Sequence, residues 1–167
     1  MVRLVAPVSS NMLMQLADFL DCDAIKTALP AGNKRSLMKQ LADLAAQRLG
    51  LDPAAVLADL NEREQLGSTG FGQGVAIPHA KTDGLPRIYG LFVRLSEPVE
   101  YKAIDGRPVD LVFLLLSPPD AGAEHLKALA SISRVTRDIP TLERLRGARS
   151  RDALAAVLMG ADERDAA

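Results

Sequence analysis

Apolar residues recur along this chain at two spacings, and the spacings divide it into helices and strands. Leu37, Leu41, Leu44 and Ala45 share one face of a helix that Asn33 caps and Gly50 ends, close to Leu49. Asp52-Pro53 starts a second helix with a side-chain cap and a proline in the first turn, where its missing N–H is no loss. That helix carries Val56, Leu57 and Leu60 on its apolar stripe and ends near Leu66-Gly67. Arg63 follows Leu60 by three residues and Val56 by seven, so it projects from the side facing the body of the domain.

The period then changes. Val75-Ala76-Ile77 predicts a short strand stopped by Pro78, and Ile88–Leu95 and Val109–Leu116 predict longer ones. The two longer runs are almost continuously apolar, as central strands covered on both faces are. Asp105-Gly106 marks a turn between them. After Pro118–Gly122 a helix is expected from Ala123-Glu124 to about Thr136, with Leu126, Leu129, Ala130 and Ser133 inward. Pro140 and Ser150 open two further short helices, the latter burying Leu154, Val157 and Leu158, and a polar tail follows from Gly160. Upstream, Met12–Leu20 predicts a short helix and Ile25–Leu29 an edge strand before the Pro30-Ala31-Gly32 turn. Two helices, then strands, then helices describe one sheet with helices packed on it, a single α/β domain. No internal repeat, low-complexity linker or domain boundary interrupts it.

Composition narrows the function. At 167 residues the chain suits one domain, and 48% hydrophobic with 25% charged residues is ordinary for a globular fold. Lys+Arg 20 against Asp+Glu 21 leaves no basic surplus for nucleic acid. Aromatics at 4% exclude a base-stacking platform. Val109–Leu116 is the strongest apolar run, too short to span a membrane and interrupted by Asp110. Arg3 followed by polar residues is not a secretion signal. Cys22 is the only cysteine, so no internal disulfide forms; a reducing, cytoplasmic setting is expected. Its neighbours Asp21 and Asp23 raise the thiol pKa and make it a poor nucleophile.

Chemistry concentrates between Arg63 and His79. Gly67, Gly70, Gly72 and Gly74 permit a loop that aims several N–H groups at one anion. The spacing matches neither G-x-G-x-x-G nor G-x-x-x-x-G-K-[ST], so neither nucleotide fingerprint is present. Ser68 and Thr69 add hydroxyl donors for phosphate oxygens, or cap a turn. Arg63 offers a fork for two phosphate oxygens, or pairs with Asp59 or Glu64 at the surface. His79 follows Pro78 and is one of only two histidines; beside four glycines a functional role outweighs that of an ordinary loop histidine. His125, in the first turn of a predicted helix, sits near unpaired N–H groups and the positive end of the helix dipole. On the residues alone, catalysis and a solvent-facing or capping role both remain open for it. No H-x₃-H or C-x₂-C spacing appears, and neither a metal nor any other cofactor is expected.

Arg63-Glu64…Ser68-Thr69-Gly70-x-Gly72-x-Gly74-Val75-Ala76-Ile77-Pro78-His79 resembles the phosphorylation-site motif of enzyme IIA proteins of the bacterial phosphotransferase system. The match is to the fructose–mannitol type (type 2), which includes the nitrogen-regulatory branch. Ala103–Phe113 and Glu124-His125-Leu126-x-x-Leu129 are similar to a second patch of that family, and the resemblance covers residues 8–160, leaving 161–167 as the polar tail. It implies a mixed β-sheet flanked by helices, with His79 carrying a phosphoryl group on Nε2. It further implies His125 as the second active-site histidine, Arg63 as the active-site arginine, and Ser68 and Thr69 in the same pocket. Ala80 stands where many members have glycine, a small change.

The partner implied is an HPr-like phosphocarrier of the nitrogen-related system (NPr). Docked face-on over His79, it predicts a shallow apolar rim. Regulated targets such as kinases or potassium-transport regulators are implied as well. The Ala-Ile-Asp-x-x-Pro-Val-Asp-Leu patch resembles the nitrogen-regulatory branch more than the sugar-transport one. Transport members are often fused to other domains, and here no membrane segment or Cys-centred transfer motif accompanies the domain. The alternatives are a sugar-transport enzyme IIA that passes phosphate to a permease component, and a binding module that keeps the fold without transferring phosphate.

Overall fold

Asn33 accepts the Ser36 N–H at 2.8 Å and so caps α1 (Lys34–Leu49), which ends where Gly50 turns left-handed at φ 69°. Asp52 accepts the Ala54 N–H at the start of α2 (Pro53–Gln65). The computed structural model, describing residues 14–166, continues with α3 (Ala123–Thr136), α4 (Ile139–Gly147) and α5 (Arg151–Ala166).

The strands are β1 (Lys26–Leu29), β2 (Gly70–Gly72), β3 (Val75–Ala76), β4 (His79–Lys81), β5 (Tyr89–Val99) and β6 (Val109–Ser117). They form one mixed sheet in the order β1-β5-β6-β3-β2, with β4 pairing β6 beyond β3. β5 and β6 are antiparallel neighbours, whereas β1 on β5, and β3 and β4 on β6, are parallel. β1 is an edge strand, as expected.

Alternation along β6 sends successive side chains into two cores. Val112, Leu114 and Leu116 pack with Leu37, Leu41 and Leu60 beneath α1 and α2. Leu111, Phe113 and Leu115 pack with Ile132, Leu142 and Leu154 beneath α3, α4 and α5. Phe92 and Phe113 are register partners on that second face, with ring centroids 4.9 Å apart and tilted by 56°. The result is a single domain whose sheet is covered by helices on both faces.

Four local expectations change. The glycine run is not an open loop: Gly70–Gly72 forms β2, which turns back antiparallel onto β3. Pro78 interrupts the edge only briefly, because its carbonyl accepts the Leu115 N–H at 3.0 Å and β4 resumes the pairing with β6. On α3 the inward residues are Ala128, Ser131, Ile132 and Val135, while Leu126 and Ala130 are exposed and Leu129 and Ser133 half-buried. Two apolar stripes compete on this helix, and the one with β-branched Ile132 and Val135 meets the sheet. Finally, α5 runs through Gly160 to Ala166, since one glycine costs a helix only about 1 kcal/mol and Ala161 is buried. Of the predicted Met12–Leu20 helix, the described part holds one tight turn at Leu16–Asp18. Met12, Leu13 and the expected domain start at residue 8 lie outside the described residues.

Candidate functional site

Three elements converge on His79. It opens β4 opposite Leu115 of β6, beside the last turn of α2 and the first turn of α3. Its Nδ1 lies 2.7 Å from the Ile77 carbonyl oxygen, which can only accept. Nδ1 therefore carries the ring proton, and Nε2 presents a lone pair. Arg63 Nε–H donates into that lone pair at 3.2 Å, and Arg63 Nη1 donates to the Gly67 carbonyl at 2.9 Å. His125, at the third position of α3, places its ring centroid 5.6 Å from that of His79, tilted by 52°. Its Nδ1 is 2.6 Å from Ser117 Oγ at the end of β6. The structure thus brings together Arg63, His79 and His125, residues up to 62 positions apart in the chain.

Both imidazoles are held neutral. Burial pushes the His79 pKa below its ordinary 6.5, the Ile77 carbonyl opposes this, and the Arg63 charge adds to the lowering. His125 is lowered first by burial, then by the charges of His79 and Lys81. Well above pH 6.5 folded and unfolded chains both keep these rings neutral, so neither affects stability there. Below 6.5 the unfolded chain takes up protons first, so stability is lost as the pH falls toward the folded values. An NMR titration is expected to place both histidines below 6.5; a midpoint at or above 6.5 for His79 would contradict the geometry.

Arg63, Leu66, His79, Lys81 and His125 line a cleft of about 400 Å³, with Asp59 and Glu62 of α2 on its acidic side. Arg63 and His79 also border a neighbouring hollow of about 380 Å³, whose walls include Ser68, Thr69, Gly70 and Leu129. Large apolar side chains are exposed at these openings: Leu66 (82%) lines the cleft, and Ile104 (88%) and Phe71 (39%) line the hollow, while Leu126 (66%), the residue after His125, is exposed on α3.

The remaining candidates divide. Ser68 Oγ donates to the Tyr101 carbonyl at 3.3 Å and accepts the Gly70 N–H at 3.1 Å. Thr69 gives its N–H to the Glu64 carboxylate at 3.2 Å and its hydroxyl to Glu64 as well. Both hydroxyls thus serve the protein's own framework. Gly70 lacks a Cβ because one would come within 2.6 Å of Ala103 Cα. Gly72 and Gly74 lie away from His79, in correction of an all-glycine phosphate cradle. Val75 pairs with Leu111 and His79 with Leu115, a separation of about 13 Å along the strand. Gly74 instead makes room for Arg146 and Asp110, and Gly72 faces Asp105.

Arg63 pairs with neither Asp59 nor Glu64. Glu64 turns to Lys34 Nζ at 2.9 Å and to the Tyr101 hydroxyl at 3.0 Å, forming a network the sequence did not announce. Lys34 Nζ also sits 4.1 Å from the centre of the Tyr101 ring. Ser117 gave no sequence signal either, since Ser-Pro reads only as the end of a strand. Cys22 is half-buried, and burial together with Asp21 and Asp23 pushes its thiol pKa up. Among the described residues no cluster of three or more His, Cys, Asp or Glu could hold a metal, and no helix is long and apolar enough to cross a membrane.

Comparison with known proteins gives a consistent picture. A family model described as phosphoenolpyruvate-dependent sugar phosphotransferase system, EIIA 2, matches residues 18–160. A nitrogen regulatory protein of Bradyrhizobium diazoefficiens is 46% identical over 145 residues, 87% of this chain and 95% of that protein. A fructose-specific EIIA component of Haloferax volcanii is 35% identical over 130 residues, 77% of this chain and 84% of its own. The crystal structure of the nitrogen regulatory protein IIA-Ntr from Neisseria meningitidis superposes with a TM-score of 0.81 at 36% identity, covering 86% of this chain and 98% of that one.

Proposed function

Since the chain belongs to the type 2 EIIA family of the phosphotransferase system, we propose that it is a phosphocarrier that takes a phosphoryl group onto Nε2 of His79 from an HPr-like carrier protein. One observation carries this reading. Ile77 O fixes the Nδ1–H tautomer, so the only lone pair of the neutral ring is Nε2, beside the Arg63 guanidinium.

In the step proposed, the Nε2 lone pair attacks phosphorus of the carrier's phosphohistidine. The new N–P bond forms as the carrier's N–P bond breaks, and the electron pair of the broken bond returns to the carrier's nitrogen. No proton leaves His79, whose Nδ1–H stays on Ile77 O; the ring gains positive charge that offsets the phosphoryl oxygens. Arg63 releases the lone pair as phosphorus approaches and turns its N–H groups onto those oxygens. Such transfer needs positioning and charge compensation more than covalent help from the protein. The exposed Leu66, Ile104, Phe71 and Leu126 give the carrier an apolar ring to dock on.

In this reading the protein works in the cytoplasm, in the nitrogen-related branch, and regulates target proteins through its phosphorylation state. The 46% identity to a nitrogen regulatory protein supports that branch. The fructose-specific relative supports a second reading, transfer onward to a sugar-specific IIB component. The test is incubation with phosphoenolpyruvate, enzyme I and the carrier, followed by peptide mapping of an acid-labile phosphate. Label on the peptide holding His79 is expected; an unlabelled protein, or label elsewhere, overturns the proposal. Discharge of the labelled protein by a fructose-type IIB would favour the second branch.

A further inference from the structure

His125 is half-buried, its pKa lies below the ordinary 6.5, and at neutral pH its tautomer decides what it offers to a phosphoryl group on His79. A ring with Nε2–H donates a hydrogen bond to an anionic oxygen. A ring with a bare Nε2 turns a lone pair toward it and repels it. Among the described residues the His125 ring nitrogens have one hydrogen-bond partner, Ser117 Oγ, 2.6 Å from Nδ1.

Ser117 is fully buried at the last position of β6. Its backbone is anchored, since its carbonyl accepts the Thr82 N–H at 2.8 Å and its Cα pairs with Lys81 of β4. Among the described residues its hydroxyl makes one hydrogen bond, the one to His125. If Nδ1–H were the donor, the hydroxyl proton would be buried without an acceptor. If the hydroxyl donates, both groups are satisfied, and the ring proton is left on Nε2. Nδ1 is the ring nitrogen held by Ser117, so Nε2 is the one free to serve the cleft that His125 shares with His79.

We propose that Ser117 is a positioning residue: its hydroxyl donates to His125 Nδ1 and so locks the Nε2–H tautomer that receives the phosphoryl oxygens. This rests on His79 as the phosphoryl acceptor, but the tautomer is measurable without any transfer. It also gives β6 a second task, since the strand that aligns His79 through Leu115 orients its neighbour through Ser117.

Nitrogen-15 NMR of the unphosphorylated protein is expected to show His125 with an unprotonated Nδ1 and a protonated Nε2. Ser117→Ala removes only the hydroxyl and is expected to convert this into a mixture of tautomers. The same variant should lower kcat for phosphoryl acceptance about five- to tenfold with KM for the carrier unchanged. A protonated Nδ1 in the wild-type protein overturns the proposal, as does an unchanged tautomer in Ser117→Ala. A shifted tautomer with an unchanged kcat also overturns it. Wild-type protein that takes no phosphate removes the reading of His79 instead, and the tautomer result then stands on its own.

Discussion

His79→Ala is expected to abolish phosphoryl acceptance, with the mass shift falling to background under conditions that fully label the wild-type protein. The variant removes the ring nitrogen whose lone pair faces the cleft and is held by the Arg63 guanidinium. His125 does not replace it. Its ring centre is 5.6 Å away, and a carrier docked for in-line attack at His79 leaves phosphorus several ångströms out of place for His125. Misplacement by 1 Å already costs about 100-fold. Folding should survive. Arg63 loses one acceptor but keeps the Gly67 carbonyl, and the lost hydrogen bonds are worth about 1 kcal/mol each. Circular dichroism and thermal unfolding check that the variant is intact. Residual label in an intact variant, at a rate near that of the wild type, would remove His79 from the mechanism.

What the sequence disclosed and what it hid follow from the range of the interactions involved. Asn33, Gly50 and Asp52-Pro53 act on backbone groups within four residues, so their signals were complete, and α1 and α2 begin and end where expected. The continuous apolar runs of β5 and β6 likewise record burial on two faces. Glycine was ambiguous. Gly70 and Gly74 answer to Ala103 and to Arg146 with Asp110, all distant in the chain, and a composition that suits anion binding equally suits close packing. Leu126 was misplaced because an apolar residue bound for an exposed rim looks like one bound for a core. Arg63 and His79 were legible as chemistry, but their 3.2 Å approach depends on β4 aligning beside the end of α2. The Lys34–Glu64–Tyr101 network joins three segments through contacts distant in the chain and leaves no periodic trace.

That network sets the second large effect, Glu64→Ala. The Glu64 side chain is 8% exposed and serves Lys34, the Tyr101 hydroxyl, and both the N–H and hydroxyl of Thr69. Burial alone would raise its pKa, but the hydrogen bonds from Thr69 and Lys34 outweigh burial and hold it below the ordinary 4.5. Removing one partner of a buried ion pair costs about 3–5 kcal/mol. The low end applies here, because Lys34 keeps the Tyr101 carbonyl at 3.2 Å and Tyr101 keeps Thr69 at 2.8 Å. A loss of about 3 kcal/mol lowers the melting temperature of a chain this size by roughly 6–12 °C. The exposed pair Lys39–Asp43 is the contrast: Lys39→Ala should change stability by less than about 0.5 kcal/mol. The pH dependence identifies the cause. A carboxylate with a lowered folded pKa contributes stability that is present above 4.5 and lost as the pH falls through the folded value. Wild-type and Glu64→Ala stabilities should therefore converge in acid, and a gap that stays constant below pH 4.5 would assign the loss to packing instead. Because Glu64 adjoins Arg63 in the last turn of α2 and ties that turn to Thr69, the variant should also slow phosphoryl acceptance at temperatures where it remains folded.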